Sequence, residues 1–243
     1  MENLITKFQK ECWANYKDCC GIPQSYAYLW GNPVKVHIPI DTAQNGIMII
    51  GAYPTAHFNT IKGVRDVPVE DHLYPFSNEH YFDGSTVRSV KSGEELDKYY
   101  LKPLDSNRDE CWITDLVKVF LFKEGHIKKY HQLGFNGYLL SRSKFREIAV
   151  NSLKYIHEEI KLAQPKIILT LGSEVAGSLM GISEKKAIKL MTKFPVDYKV
   201  GNKNYKLFAL PHPGIIMRNS RRSEVWKRVL QKQISQIKKI LHE

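Results

Sequence analysis

Histidine and aspartate side chains occur close to several short apolar segments of the sequence. His57 follows the segment Gly46–Gly51. Asp115 lies within Cys111–Val119, and His212 comes shortly after the last apolar segment. An imidazole can donate or accept a proton near neutral pH, and a carboxylate can act as a general base or a hydrogen-bond acceptor. These three residues are therefore candidates for acid–base chemistry on a bound substrate.

The apolar segments themselves are typical of buried parallel strands. They are short, continuous rather than alternating, and rich in Ile, Leu and Val. They comprise Gly46–Gly51, Cys111–Val119, Lys166–Leu171 and Leu207–Leu210. Amphipathic helical patterns occur at Ser143–Leu162 and Arg222–Leu241. The alternation predicts an α/β fold, a three-layer αβα sandwich with a central four-stranded parallel sheet.

Residues directly after the predicted strands are the ones expected to form a site. In open parallel sheets, ligands bind beyond the carboxyl ends of the strands. Those positions are Ala52–Phe58, Gly172-Ser173 and Pro211–Arg218, together with Asp115 inside the second segment. We therefore expect these residues to meet at one cleft.

The stretch Ala52–Glu110 has weak periodicity and many turn residues. Loops of this length in a compact domain are usually functional or contain elements that sequence patterns miss. Asp66 and Asp71 lie in this stretch and are further candidates for a catalytic acid or base, although each can equally be a solvated loop residue.

The positive charge of the chain is concentrated in its last quarter. The net charge is +11, and residues 183–243 hold 15 Lys and Arg against 4 Asp and Glu. A one-sided basic surface suits a polyanion, because neutralising phosphates releases counterions. We expect DNA as the partner, and the alternative is a solubilising surface.

Length and composition set the class of protein. The 243 residues predict a single domain, with a core over about 46–240 and an N-terminal helical extension over about 1–45. There is no long apolar run and no signal-peptide pattern, so we expect a soluble, cytoplasmic monomer with no membrane contact. The four cysteines lack the spacing of a metal site, and no metal or cofactor is expected.

Five motifs occur in a fixed order along the chain. They are Gly51-Ala52-Tyr53-Pro54, Pro75-Phe76, Trp112–Lys118, Ile167–Gly172 and the segment His212-Pro213-Gly214 followed by Ile215, Ile216, Met217 and Arg218. Together they resemble the uracil-DNA glycosylase superfamily. The resemblance implies an enzyme that hydrolyses the N-glycosidic bond of a base turned out of DNA.

The resemblance also implies roles for individual residues. His212 stabilises the negative charge on the departing base, and Phe76 stacks on that base. The base-binding residues are Gly51, Ala52, Tyr53, Pro54, Phe76, Asp115 and Gly172. The residues implied to hold DNA are Ile215, Ile216 and Met217 as a wedge, and Arg218, Arg221 and Arg222 on phosphates.

Two departures from the family pattern affect the chemistry. Most active branches have an acid or amide in the first motif to position water, and here Ala52 and Tyr53 occupy those places. Pro54-Thr55-Ala56-His57 is similar to a stretch of one branch that also lacks this residue. His57, Asp66, Asp71 and Asp115 are therefore the candidates for activating water.

Asp115 stands where several branches have an Asn that reads the base. An ionised Asp offers only acceptors, which favours bases presenting N–H groups, such as hypoxanthine, xanthine or a guanine-like lesion, over uracil. Alternatively, Asp115 is a base for water or a structural residue. One branch with an iron–sulfur cluster has a Cys where this chain has Val119, so no cluster is expected.

Three functions remain open from the sequence. The first is a DNA glycosylase, and the second is a glycosylase-like protein that binds DNA without cleaving it. The third is an open-sheet enzyme of another class that binds a nucleotide, which the absence of G-x-G-x-x-G and P-loop motifs disfavours.

Overall fold

The computed structural model describes residues 3–70, 72–193, 195–218 and 220–242. Asp71 lies outside the described residues, and so does the side chain of Arg222. The helices are α1 Leu4–Cys19, α2 Lys91–Leu96, α3 Glu124–Gln132, α4 Phe145–Ala163, α5 Ser173–Leu179, α6 Glu184–Leu190, α7 Pro213–Ile216 and α8 Arg221–His242. The strands are β1 Ile47–Gly51, β2 Phe58–Ile61, β3 Val64–Pro68, β4 His80–Phe82, β5 Val87–Ser89, β6 Cys111–Asp115, β7 Ile167–Leu171, β8 Val196–Val200 and β9 Lys203–Leu210.

The central sheet has the strand order β6-β1-β7-β9-β8. The first four of these strands are parallel, as the sequence predicts. The sheet has a fifth strand, β8, which pairs antiparallel with β9 at the edge. Its alternating pattern, with Tyr198 and Val200 buried and Asp197 and Lys199 exposed, is typical of an edge strand rather than of the continuous apolar segments.

Helices cover both faces of this sheet. Residues at alternate strand positions point to opposite faces, so Met48 and Ile50 pack with the α4 side. Ile47 and Ile49 pack with the α8 side. The α4 residues buried there are Ile148, Ala149, Ile156 and Ile160, and the α8 residues are Leu230, Ile234 and Ile237. The predicted three-layer αβα sandwich is confirmed.

The N-terminal helix α1 joins the core on the α4 side of the sheet. Phe8, Cys12 and Tyr16 are buried in the same apolar cluster as residues of α4. The Tyr16 hydroxyl lies 2.5 Å from Ser152 Oγ on α4. All four cysteines are free thiols, and only Cys19 is exposed. None of the helices in the described ranges is long and apolar enough to cross a membrane.

The long stretch after β1 contains two small hairpins that sequence patterns did not predict. β2 pairs with β3 and β4 pairs with β5, both antiparallel. His57 comes directly before β2, and Glu70 follows shortly after β3. The hairpin formed by β2 and β3 therefore brings His57 and Glu70, which are 13 positions apart in the sequence, next to each other.

Candidate active site

A cleft of about 360 Å³ lies beyond the carboxyl ends of β1, β6 and β9. This volume falls at the lower end of the range for small-ligand pockets. Tyr53, Phe76, Asp115 and His212 all line the cleft. The cleft is therefore formed by the loops that the sequence analysis placed at one edge of the sheet. The other lining residues are His37, Ala52, Pro54, Thr55, Ala56, His57, Glu70, His72, Lys91, Ser92, Glu95, Phe120, Leu121, Lys123, His126, Arg142, Glu174 and Pro213.

Gly51, at the end of β1, has no room for a side chain. A Cβ atom there would lie 2.2 Å from Asp115 Oδ1 and 2.5 Å from the Phe76 ring. Gly51 is also the cross-strand partner of Asp115. Asp115 and Phe76 thus meet over the bare backbone of this glycine, at the wall of the cleft.

Phe76 is held by its backbone as well as by its ring. Its φ of +52° is left-handed, which is uncommon for a bulky residue and marks stored strain. The Arg108 guanidinium donates to the Phe76 carbonyl at 2.7 Å. Arg108 also forms ion pairs with Asp41 and Asp97, each at 3.0 Å. Arg108, which no sequence motif singles out, therefore supports the position of Phe76.

The Asp115 carboxyl is buried, and burial is the largest cause that raises its pKa, to about 7. The Glu159 carboxylate also raises this pKa, whereas the Lys118 ammonium lowers it. Lys118 and Glu159 form a fully buried ion pair at 2.5 Å behind the strand, and Lys118 donates to Thr114 Oγ1 at 2.7 Å. Near neutral pH, Asp115 can therefore present a donating O–H or an accepting carboxylate to the cleft.

His212 is the N-cap of α7. Its Nδ1 accepts a hydrogen bond from the Gly214 backbone N–H at 3.0 Å. A neutral ring that accepts at Nδ1 carries its proton on Nε2. Although part of the ring faces the open cleft, desolvation by surrounding atoms lowers its pKa most, followed by the charges of Arg142 and Arg218. His212 is therefore a neutral donor at neutral pH.

Gly172 lies beneath His212 at the end of β7. Its φ of +106° is in the region that favours glycine, and a Cβ there would lie 3.6 Å from His212 Cβ. Gly172 thus lets the loop after β7 pass close to the His212 loop. It is not itself one of the residues that line the cleft.

Tyr53 faces Arg142 and Glu174 on one side of the cleft. The Arg142 guanidinium lies 5.3 Å from the Tyr53 ring centroid and 3.8 Å from Glu174 Oε1. Burial raises the pKa of Tyr53 to about 12. Tyr53 is therefore a neutral phenol and does not supply the base that the first motif lacks.

Glu70, which sequence analysis did not select, contacts two histidines at the cleft. Its Oε2 lies 2.9 Å from His57 Nδ1, and its Oε1 lies 3.1 Å from His72 Nδ1. The Thr55 hydroxyl donates to Glu70 Oε1 at 3.2 Å. Glu70 and His72 were not found by motif because they lie in the stretch of weak periodicity.

The predicted site residues Asp66 and Ile216 lie in parts of the structure where they cannot take the predicted roles. Asp66 is buried elsewhere, forms an ion pair with Lys129 and does not line the cleft. Ile216 is only 2% exposed and packs in the core with α8, so it does not project as a wedge. The residues Ile215 and Ile216 lie in the single turn of α7, and Ile216 is the one that faces the core. Ile215 is half-buried, while Met217 is 38% exposed.

Several basic residues follow the cleft residue His212 in the sequence. Arg218 is exposed and close enough to His212 to lower its pKa. Arg221 is exposed at the start of α8. Further exposed cations in the last quarter are Lys185, Lys186, Lys189, Lys193, Lys199, Lys203, Lys206, Arg228, Lys232 and Lys239. At Arg218 a cationic side chain therefore lies close to the cleft residue His212, and Arg221 follows three residues later in the sequence.

A model of the uracil DNA glycosylase superfamily matches residues 39–233. The match covers most of the chain, and the chain belongs to this superfamily. The resemblance drawn from the motifs is thereby confirmed. No curated protein matches the chain significantly in sequence.

Proposed function

We propose that this protein is a DNA glycosylase that hydrolyses the N-glycosidic bond of a damaged base flipped out of DNA. The observation that carries the proposal is the placement of His212, a neutral Nε2–H donor, in the same cleft as Phe76 and Asp115. Family membership supports the same reaction class. We expect the reaction to need no metal.

Phe76 and Asp115 would bind the extruded base. The Phe76 ring provides a stacking surface, which contributes about 1–3 kcal/mol per base. Ala52, Tyr53 and Pro54 would form the opposite part of the pocket, with Gly51 allowing close approach. Asp115 would accept from a ring N–H when ionised and donate to a carbonyl when protonated. We expect hypoxanthine or xanthine to be preferred over uracil, because an ionised Asp115 would repel the anion that develops on a leaving uracil.

His212 would stabilise the departing base. Breaking the glycosidic bond leaves an electron pair on the base nitrogen, and the negative charge spreads to its carbonyl oxygens. A donor already aimed at that charge lowers the barrier, typically by about 3 kcal/mol for one hydrogen bond. Since the Gly214 N–H occupies Nδ1, the Nε2–H of His212 is the one available for this purpose.

The segment after α7 would hold the DNA. Arg218 and Arg221 are exposed and suited to the phosphates on either side of the flipped nucleotide, and Arg222 is the next residue in sequence. Met217 is the exposed apolar side chain that would enter the gap in the stack, with Ile215 beside it.

A panel assay tests this proposal. Duplex and single-stranded oligonucleotides carrying uracil, hypoxanthine or xanthine are incubated with the wild type in EDTA, and release of free base and alkali-labile sites is measured. We expect cleavage of a deaminated purine, and a large loss in His212→Ala and Asp115→Ala. Absence of base release from every substrate would refute the glycosylase, and a clear preference for uracil would refute the base assignment.

A second function, DNA binding without cleavage, is favoured by one observation. Neither Ala52 nor Tyr53 can act as a base for water at neutral pH, because Ala52 has no titratable group and the pKa of Tyr53 is raised to about 12. Salt-dependent binding of damaged DNA with no abasic product would support this alternative.

A further inference from the structure

Glu70 forms a buried anchor for His57 inside the cleft. The Glu70 side chain is 2% exposed, whereas that of His57 is 59% exposed. The His57 Nδ1–Glu70 Oε2 distance is 2.9 Å. The Glu70 carboxylate is therefore held inside the protein, whereas the His57 imidazole is accessible at the cleft.

The β2–β3 hairpin determines this pairing. Its last paired residues at the open end are Phe58 and Pro68, and the Val69 N–H donates to the His57 carbonyl at 3.0 Å. Glu70 comes one residue later, so the hairpin brings its carboxylate to the His57 ring. The other oxygen, Oε1, accepts a hydrogen bond from Thr55 Oγ1 and lies 3.1 Å from His72 Nδ1.

The contact with Glu70 determines which nitrogen of His57 is left as an acceptor. A carboxylate only accepts hydrogen bonds, so Nδ1 of a neutral His57 carries the proton and Nε2 carries the lone pair. This is the opposite tautomer from that of His212, whose Nδ1 accepts from a backbone N–H. The cleft therefore contains one imidazole arranged to accept a proton and one arranged to donate a hydrogen bond.

We infer that His57 is the general base for the attacking water and that Glu70 is its positioning residue. This inference rests on the proposed glycosylase function. It assigns the role that Ala52 and Tyr53 leave vacant in the first motif. Asp115 is instead assigned to binding the nucleobase, because its carboxyl is buried beside Phe76.

Each turnover consumes one water molecule. The water oxygen forms a bond to C1′ while the C1′–N bond breaks, and the electron pair of that bond leaves on the base. The proton of the attacking water passes to His57 Nε2, and the base anion is stabilised by the Nε2–H of His212. Proton transfer from His57 to the base, directly or through solvent, restores the enzyme and yields free base and an abasic sugar.

Single-turnover kinetics on the best substrate of the panel test the inference. We expect His57→Ala to slow base release by about 10²-fold or more, as for other general bases, with little change in the Kd for DNA containing an abasic site. Glu70→Gln should slow release by about 10-fold or more, because it removes the charge that holds the tautomer. The matched controls, His131→Ala and Glu147→Gln, change exposed residues away from the cleft and should cleave at the wild-type rate.

A ¹⁵N NMR measurement of His57 supplies a readout other than activity. We expect a proton on Nδ1 in the wild type and a shift toward the Nε2–H tautomer in Glu70→Gln. His57→Gln, at an exposed position, keeps the test valid if Glu70→Gln fails to fold, and it should also slow base release. Wild-type rates in both His57 variants and Glu70→Gln, or an Nε2–H tautomer in the wild type, would overturn the inference while leaving the glycosylase intact. A wild type that releases no base would overturn the proposed function and this inference with it.

Discussion

Asp115 Oδ1 lies 2.2 Å from the position that a β-carbon on Gly51 would occupy. The two residues are register partners on adjacent parallel strands, so the aspartate side chain extends over the glycine backbone. The Phe76 ring closes the same space from the other side. A single methyl group at residue 51 would therefore displace two groups that we propose to bind the base.

Gly51→Ala should weaken base binding and lower stability together. Overpacking of this kind costs about 1–3 kcal/mol, because neither the buried carboxyl nor the strained Phe76 backbone can move freely. Denaturant unfolding and the KM for the preferred substrate measure the two effects. Gly125→Ala is the matched control, since a Cβ there meets no atom within 4 Å. Unchanged KM and stability in Gly51→Ala would contradict the packing described.

His212→Ala should reduce kcat by about 10²- to 10³-fold with a small change in DNA affinity, because it removes a donor to the leaving base. Single-turnover rates and binding to abasic DNA separate the two quantities. His80→Ala, at an exposed residue of β4, should behave as the wild type. A parallel loss of affinity and rate would instead make His212 a binding residue.

Asp115 should make the protein less stable as pH rises from about 4 to about 7. Burial raises its folded pKa to about 7, so over this range the folded protein keeps a proton that the unfolded chain releases. This group alone lowers the free energy of unfolding by up to about 4 kcal/mol across the range. Chemical unfolding at several pH values should show this dependence in the wild type and a smaller one in Asp115→Asn. Identical profiles would contradict the raised pKa.

The same variant should change the choice of base. An amide at residue 115 offers both a donor and an acceptor at every pH, which suits uracil. We expect Asp115→Asn to raise the ratio of uracil to hypoxanthine cleavage, measured as kcat/KM for each. A ratio that is unchanged would remove Asp115 from base recognition.

Arg218 and Arg221 should contribute to the salt dependence of DNA binding. Each phosphate contact that is lost reduces the slope of log K against log salt by about 1. Titrations of Arg218→Ala and Arg221→Ala at several salt concentrations measure this, with Lys7→Ala on α1 as a control at the opposite face of the sheet. Equal slopes in all four proteins would exclude contact between these arginines and DNA.

Sequence patterns predicted the parts of this fold that depend on continuous burial. The four parallel strands are apolar over their length because helices cover both faces, and that composition is readable from the sequence. The edge strand β8 and the two hairpins are half-exposed and short, so their residues resemble loop residues. The second segment also ended earlier than predicted, at Asp115, because Leu116–Val119 are buried without being part of the strand.

The cleft residues were predictable from a strand end or from a family motif. His212 and Asp115 meet at the cleft because each follows or lies on a strand with a clear pattern, whereas Phe76 was predicted from the Pro75-Phe76 motif alone, within the stretch of weak periodicity. Glu70 depends on the register of the β2–β3 hairpin, and Arg108 acts through a backbone carbonyl, so neither leaves a local signal. The sequence analysis selected Asp66 and not Glu70, and only the fold reverses this choice, because Asp66 pairs with Lys129 away from the cleft.

The hydrogen bond from the Gly214 N–H to His212 Nδ1 also makes the first turn of α7 depend on the protonation state of His212. This turn precedes the residues that we propose to contact DNA. A ring protonated at both nitrogens has no lone pair for this N–H, so the first turn of α7 would lose its cap below the lowered pKa of His212. That turn leads directly to Met217 and Arg218. Acidification would therefore weaken the proposed contacts of Met217 and Arg218 with DNA at the same time as it removes the neutral imidazole.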